Sequence, residues 1–229
     1  MSKYGYNSIS RDISKVLENP ASPKSHKLEE LPGSQTAKTI LRFATKELPA
    51  KVLYHSLRVY QYSLAIIKDQ FPQWELDPEV IFSTSLLHDI GATPRNLEST
   101  KMSFEFYGGI IARDLVKEKT GDKDYAEAVS EAIIRHQDLG TTGNITHLGF
   151  IIQVSTILDN VGQNSNLLHP DTLDAINKEY PREGWLGCFA EVIDSENRMK
   201  PWGHTSSLGV NEFRDSVLSN RVTYEKAKM

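Results

Sequence analysis

The sequence predicts an all-α fold, on three observations. Apolar residues recur at helical spacing along nearly the whole chain. Strand signals are almost absent, and Pro and Gly punctuate the apolar runs at short intervals. Connections this short pack neighbouring helices antiparallel, as a bundle. The chain divides into an irregular N-terminal arm, 1–34, and one helical catalytic domain, 35–229. The arm is read from Pro20, Pro23 and Pro32 among Ser, Lys and Glu, a composition suited to surface chain.

The first helix is expected over 35–48, with Ile40, Leu41, Phe43, Ala44 and Leu48 on one side and Pro49 closing it. The second covers 50–70 on a stripe of Val52, Ser56, Val59, Ser63 and Ile66, and His55 lies within its widened face. The third opens on Asp77 as N-cap with Pro78 in the first helical position, and stops at Gly91. His88 and Asp89 then fall in its last turn. The fourth covers 103–119 and carries Gly108 and Gly109, a pair tolerated where something approaches the backbone closely. The fifth, 123–137, bears Tyr125, Val129, Ala132, Ile133 and His136 on one stripe. The sixth, 145–161, bears Leu148, Ile151, Ile152, Ser155 and Asp159. Further helices are expected over 171–178 and 185–197 and from about 211, the last after the loop PWGHTSSLG.

Composition bounds the function. The chain has 229 residues, 39% of them hydrophobic, enough for one core. Its formal net charge is −4, with both signs mixed and no basic stripe, which excludes nucleic acid and anionic membrane as obvious partners. No run approaches a membrane span, and MSKYGYNSIS lacks the apolar core of a secretory signal. The single Cys188 makes no internal disulfide. The expected location is the cytoplasm, with the nucleus as the alternative.

Four apolar stripes are interrupted by titratable residues: His55, His88 with Asp89, His136, and Asp159. One alone reads as a core histidine on a carbonyl or an aspartate in a buried ion pair. Together they read differently. Only Arg58, Arg135 and Lys101 are obvious cationic partners, and an unpaired buried carboxylate destabilises by several kcal/mol. A divalent metal held by His55, His88, Asp89 and Asp159 removes that cost. The nitrogen and oxygen donors suit Zn2+ first, then Fe2+ or Mn2+. One ion is expected, since no second histidine pair stands near His136.

The pattern H…HD…D resembles the HD-domain superfamily of metal-dependent hydrolases. HSLRV, LLHDIG, FEFYGG, AIIRHQD and LDNVG carry the likeness, over about residues 35–210. Within it the chain is similar to the fungal cyanamide hydratases, on KMSFEFYGGI, EAIIRHQD, LDNVG and KPWGHTSSLG read with SLLHDIG. The resemblance implies a hydro-lyase that hydrates cyanamide to urea by a metal-bound hydroxide, and a homo-oligomer. The alternative is an HD-type phosphohydrolase acting on a nucleotide or other phosphomonoester. Many such members carry a Lys after the pair, as HDIGK. Ala92 stands in that place here, which leans toward a small uncharged substrate. A non-catalytic metal module is the third reading, and inward-facing His136 argues against it.

For the hydration, His136 is the expected proton donor at the nitrile nitrogen. Asp138 either orients it or caps a turn. Asn160 either bonds the amino end of the substrate or supports the neighbouring ligand. Glu105 is a further candidate for substrate binding, as a carboxylate behind the site or a solvated one. Trp202 and His204 form either a lid or a packing anchor. His26, His147 and His169 are not expected as ligands, and His169 is expected to serve a helix start.

Overall fold

The computed structural model describes residues 2–221. The last part of the expected catalytic domain, 222–229, lies outside them. A 3-10 turn (Ser2–Tyr4) opens the chain, followed by strand β1 (Ser8–Ser10) and helix α1 (Ile13–Val16). Residues 17–33 carry neither helix nor strand and run along the surface. Then come α2 (Gln35–Glu47), α3 (Ala50–Gln70), α4 (Pro78–Leu87), α5 (Pro94–Ser99), α6 (Phe104–Thr120) and α7 (Lys123–Ile134). Strand β2 (Asn144–Thr146) leads into α8 (His147–Val161), α9 (Pro170–Glu179), α10 (Trp185–Met199) and α11 (Glu212–Leu218).

The helix boundaries follow from caps. Ser34 accepts from the Ala37 amide, Asp77 from Glu79, Asp122 from Tyr125 and Thr146 from Gly149. The His169 imidazole accepts from the Asp171 amide, the start role its position predicts. α3 lies at the centre, against α4, α8 and α9. It is buried on every side from His55 to Ile66, so its polar residues must find partners inside the protein.

Two expectations need correction. The arm is not wholly irregular: β1 pairs antiparallel with β2, placing Ile9 opposite Ile145. The stretch between α7 and α8 therefore holds a short strand where only loop and helix were expected. Second, α7 ends at Ile134 and not at 137. The Arg135 amide makes the last bond, to the Glu131 carbonyl, and the His136 imidazole takes the Ile133 carbonyl. His136 is thus in a turn beyond the helix and not on its stripe. In the same way α4 ends at Leu87, with His88 as its C-cap and a 3-10 turn (Ile90–Ala92) after Asp89.

That turn is set by a close backbone approach. A Cβ at Gly91 would fall on the Phe104 carbonyl oxygen and 2.9 Å from the Gly108 nitrogen. One at Gly109 would meet the Ile134 side chain. The glycine pair thus lets α6 seat the turn after Asp89 and the end of α7 together. Gly91→Ala is expected to destabilise by about 3 kcal/mol, lowering Tm by about 5 to 10 °C. Gly187→Ala is the control. It lies in α10 with open space around it, and is expected to leave Tm level or raise it. Thermal unfolding of both variants checks the contrast.

Candidate metal centre

His55 from mid-α3, His88 from the end of α4 and Asp89 from the turn beyond it meet in one buried place, none more than 2% exposed. His55 Nε2 lies 3.0 Å from His88 Nε2 and 3.6 Å from Asp89 Oδ2, and His88 Nε2 lies 3.2 Å from that oxygen. Donors about 2.0 to 2.2 Å from a shared ion sit about 3.0 to 3.5 Å from one another. The three residues form a metal-capable cluster.

The tautomers make the case stronger. His88 Nδ1 lies 2.7 Å from the Ser85 carbonyl oxygen, which only accepts, so Nδ1 carries the proton. His55 Nδ1 donates to Asp159 Oδ2 at 2.6 Å. In both neutral rings Nε2 is left with a lone pair, and the two lone pairs face each other. Asp89 Oδ1 is buried without a partner. A place lined with acceptors and lacking a donor calls for a cation. The residues fit the group the sequence implies.

His136 stands at the edge of this set. Its Nδ1 donates to the Ile133 carbonyl at 2.7 Å, and its Nε2 lies 3.7 Å from Asp89 Oδ1. Phe104 meets its ring edge-on at 5.7 Å. Burial, then the neighbouring His88, lower the His136 pKa, which keeps the ring neutral. Burial also pulls His55 down to about 4, against the opposing pull of Asp159. For His88 burial is outweighed by Asp89, which raises it. Burial would raise Asp89, but His88 and the other two imidazoles hold it below the usual carboxylate range.

Asp159, expected as the fourth metal donor, lies beside His55 and is held by two arginines. Arg58 grips its carboxylate through Nε and Nη2, both at 2.9 Å. Arg182 bonds Oδ1 and, at 2.7 Å, the Asp159 carbonyl. Burial works against this carboxylate, and Arg182 and Arg58 hold it well below its ordinary pKa. Its direct contact with the donor set is the bond to His55. Arg182, on the loop before α10, was not foreseen. Nothing in a surface-like YPREG stretch signals that its cation turns inward.

The remaining candidates divide. Asp138 does not orient His136, contrary to one expectation: its carboxylate is ion-paired to Arg11 and Arg135. Two guanidiniums outside the site compete for it, and the Ile133 carbonyl has taken the ring's Nδ1. Asn160, expected on the substrate or on the neighbouring ligand, holds a wall of the site. Its side-chain oxygen accepts from Trp185 Nε1 at 3.1 Å, and Trp185 stacks on His55 at 4.1 Å. Trp185, foreseen only as a helix start, is thus one wall of the site. Glu105 is fully buried, with Oε1 on His204 Nδ1 at 2.6 Å and Oε2 unpartnered. His204 is raised by that bond. Trp202 is 63% exposed and bonds the Lys101 carbonyl, so of the PWGHTSS loop it is His204 that reaches inward.

An all-helical scaffold with a buried His-His-Asp donor set defines an HD-domain metalloprotein. The HD domain family matches residues 52–161 of this chain. Domain and cluster together indicate a divalent metal. Two relatives are the cyanamide hydratases DDI2 and DDI3 of Saccharomyces cerevisiae. Each is 54% identical over 225 residues, spanning 98% of this chain and 100% of the relative. The chain belongs to the cyanamide hydratase family. Among the described residues, no helix is long and apolar enough to cross a membrane.

Arg182→Ala leaves a buried carboxylate with one cation in place of two. The expected loss is about 3 kcal/mol in stability, read by thermal unfolding of metal-free protein. Metal affinity is expected to fall about 10-fold or more, because His55 loses its fixed orientation. Unchanged affinity in a folded variant would detach Asp159 from the site.

Proposed function

We propose that this protein adds water to cyanamide to give urea, with one divalent ion held by His55, His88 and Asp89. Zn2+ is the first choice for this mixed donor set, with Fe2+ or Mn2+ as alternatives. One observation carries the choice of a small neutral substrate. Both buried guanidiniums near the site, Arg58 and Arg182, are bonded to Asp159, and neither is paired with His55, His88 or Asp89. Arg95 and Lys101, the cations nearest in sequence to the HD pair, are exposed. A phosphomonoester would need fixed positive side chains directed at the metal donors. The names of the two yeast relatives support the same reading.

A divalent ion bound at this set polarises water and moves its acidity toward neutral pH. The chain supplies the rest. Neutral His136, its Nε2 free to accept, takes one proton from the attacking water. The water oxygen bonds to the nitrile carbon as one C–N π bond opens, and that electron pair goes to the nitrile nitrogen. His136 returns the proton to that nitrogen, giving isourea. Transfer of the second water hydrogen from oxygen to the same nitrogen gives urea, so all of the water ends in the product. Asp159 acts as a positioning residue through His55. Trp185 and Phe104 wall off bulk water.

The proposed assembly is a homo-oligomer in the cytoplasm. Exposed Met102, Trp202 and Val210 are apolar surface that such an assembly would cover.

Urea formation from cyanamide by metal-loaded protein tests the reading. Protein stripped with a chelator and Asp89→Ala are expected to make none. His136→Ala is expected to lose about 10²-fold or more in turnover with its metal content intact. Loss of metal in that variant would make His136 a ligand instead. A folded, metal-loaded wild type that yields no urea sinks the hydratase, and release of phosphate from nucleoside monophosphates becomes the next assay.

A further inference from the structure

Gln153, in mid-α8, is 2% exposed and gives both hydrogens of its carboxamide to one turn. Its Nε2 lies 2.6 Å from the Arg135 carbonyl oxygen and 2.9 Å from that of Asp138. Neither carbonyl depends on it. The Arg135 carbonyl also accepts from the Asp138 amide at 3.0 Å, and the Asp138 carbonyl from Arg11 Nη2 at 2.7 Å. One donor is enough to satisfy a buried carbonyl. The second donor to each therefore adds geometry more than satisfaction. A single planar carboxamide fixes how far apart the two ends of the turn 135–138 stand.

His136 lies between those ends. Its Nδ1 bonds the Ile133 carbonyl at 2.7 Å, and its ring meets Phe104 edge-on at 5.7 Å and His88 edge-on at 5.1 Å. Its Nε2 stops 3.7 Å from Asp89 Oδ1, whereas His88 Nε2 comes to 3.2 Å from the other Asp89 oxygen. Donors to a shared ion stand about 3.0 to 3.5 Å apart, so His136 is held just beyond that span. A small shift of its turn toward Asp89 would make the ring a ligand. A small shift away would take its lone pair from the attacking water. Work of that kind tolerates a displacement of only about 0.5 Å.

We infer that Gln153 is a positioning residue for His136, an assignment that rests on the reading of His136 as the proton carrier of the hydration. The frame is α8. Further along the same helix Asp159 takes His55 Nδ1 at 2.6 Å. One helix thus orients two imidazoles of the site, His55 through a carboxylate and His136 through the carboxamide that grips its turn.

Gln153→Met keeps the length of the side chain and removes both donors. Each carbonyl keeps its other donor, so the fold is expected to hold. Wild type, Gln153→Met, His136→Ala and the double variant, each loaded with Zn2+, are compared for urea from cyanamide, Zn2+ content and Tm. Gln153→Met is expected to lose about 10-fold or more in kcat, with KM within about twofold, Zn2+ content unchanged and Tm within about 5 °C of wild type. Beside His136→Ala the same substitution is expected to change kcat by less than about twofold, because a residue that acts through a ring is silent once the ring is gone. A Gln153→Met protein that keeps more than about a tenth of wild-type kcat overturns the assignment. So does a loss that persists beside His136→Ala, or one that comes with loss of Zn2+ or a larger fall in Tm, since these mark a packing role. His136→Ala at full turnover overturns the role of His136, and a wild type that makes no urea overturns the reaction. Both are read without any change at Gln153.

Discussion

The bond from His55 Nδ1 to Asp159 decides which nitrogen of His55 faces the site, and much of the molecule is arranged to hold it. Asp159 comes from α8 and His55 from α3, the two helices at the centre of the fold. Arg58, one turn after His55 on the same helix, grips Asp159 from α3. Arg58 also bonds the carbonyls of Tyr180 and Pro181, which brings the loop before α10 into place. That loop delivers Arg182 to the same carboxylate, and Trp185 to the face of His55. The arginines, the aspartate, the imidazole and the indole form one connected polar unit, in which each member fixes the next.

His88 and His136 solve the same problem locally. Each ends a helix, and each donates Nδ1–H to the carbonyl three residues earlier. A helix end leaves carbonyls without intrahelical partners, so an imidazole at that point satisfies one and is oriented in return. All three rings present Nε2. His55 sits in mid-helix, where its own carbonyls are spoken for, and so it needs a carboxylate from elsewhere. This is a physical reason for Asp159 to stand beside His55.

The helices and the convergence of His55, His88 and Asp89 were legible because they depend on local rules: periodicity, caps, and the cost of burying charge. What escaped depends on contacts far apart in sequence. Asp159 reads as a ligand while Arg58 is its one plausible partner, and Arg182 is seen on it only when the loop after α9 folds back. Asp138 beside His136 reads as its orienter, yet Arg11 arrives from 127 residues away. The strand Ser8–Ser10 is three residues long, too short for its alternation to register. His136 was expected on a helical stripe because Tyr125, Val129, Ala132 and Ile133 keep the period up to it. The helix stops one turn early because the His136 ring competes for a carbonyl.

Some of the buried polar atoms without partners among the described residues stand at the metal donors, and others, such as Arg11 Nε and Asn197 Oδ1, do not. Asp89 Oδ1 belongs to the donor set, Arg182 Nε lies beside Asp159, Glu105 Oε2 lies beside His204, and Ser56 and Ser85 are chain neighbours of His55 and His88. A fold selected for stability alone would pair these groups or replace them with apolar ones. Elsewhere the same protein pairs such groups closely: Ser63 with Ser155, Tyr62 with Asn177, Thr205 with Glu196. The contrast locates the place where polar capacity is kept for something other than the chain. The acceptors facing one another answer to a cation. A buried His-His-Asp donor set between the Trp185 and Phe104 rings, with no guanidinium or ammonium bonded to its donors, suits a small neutral nitrile better than a phosphate.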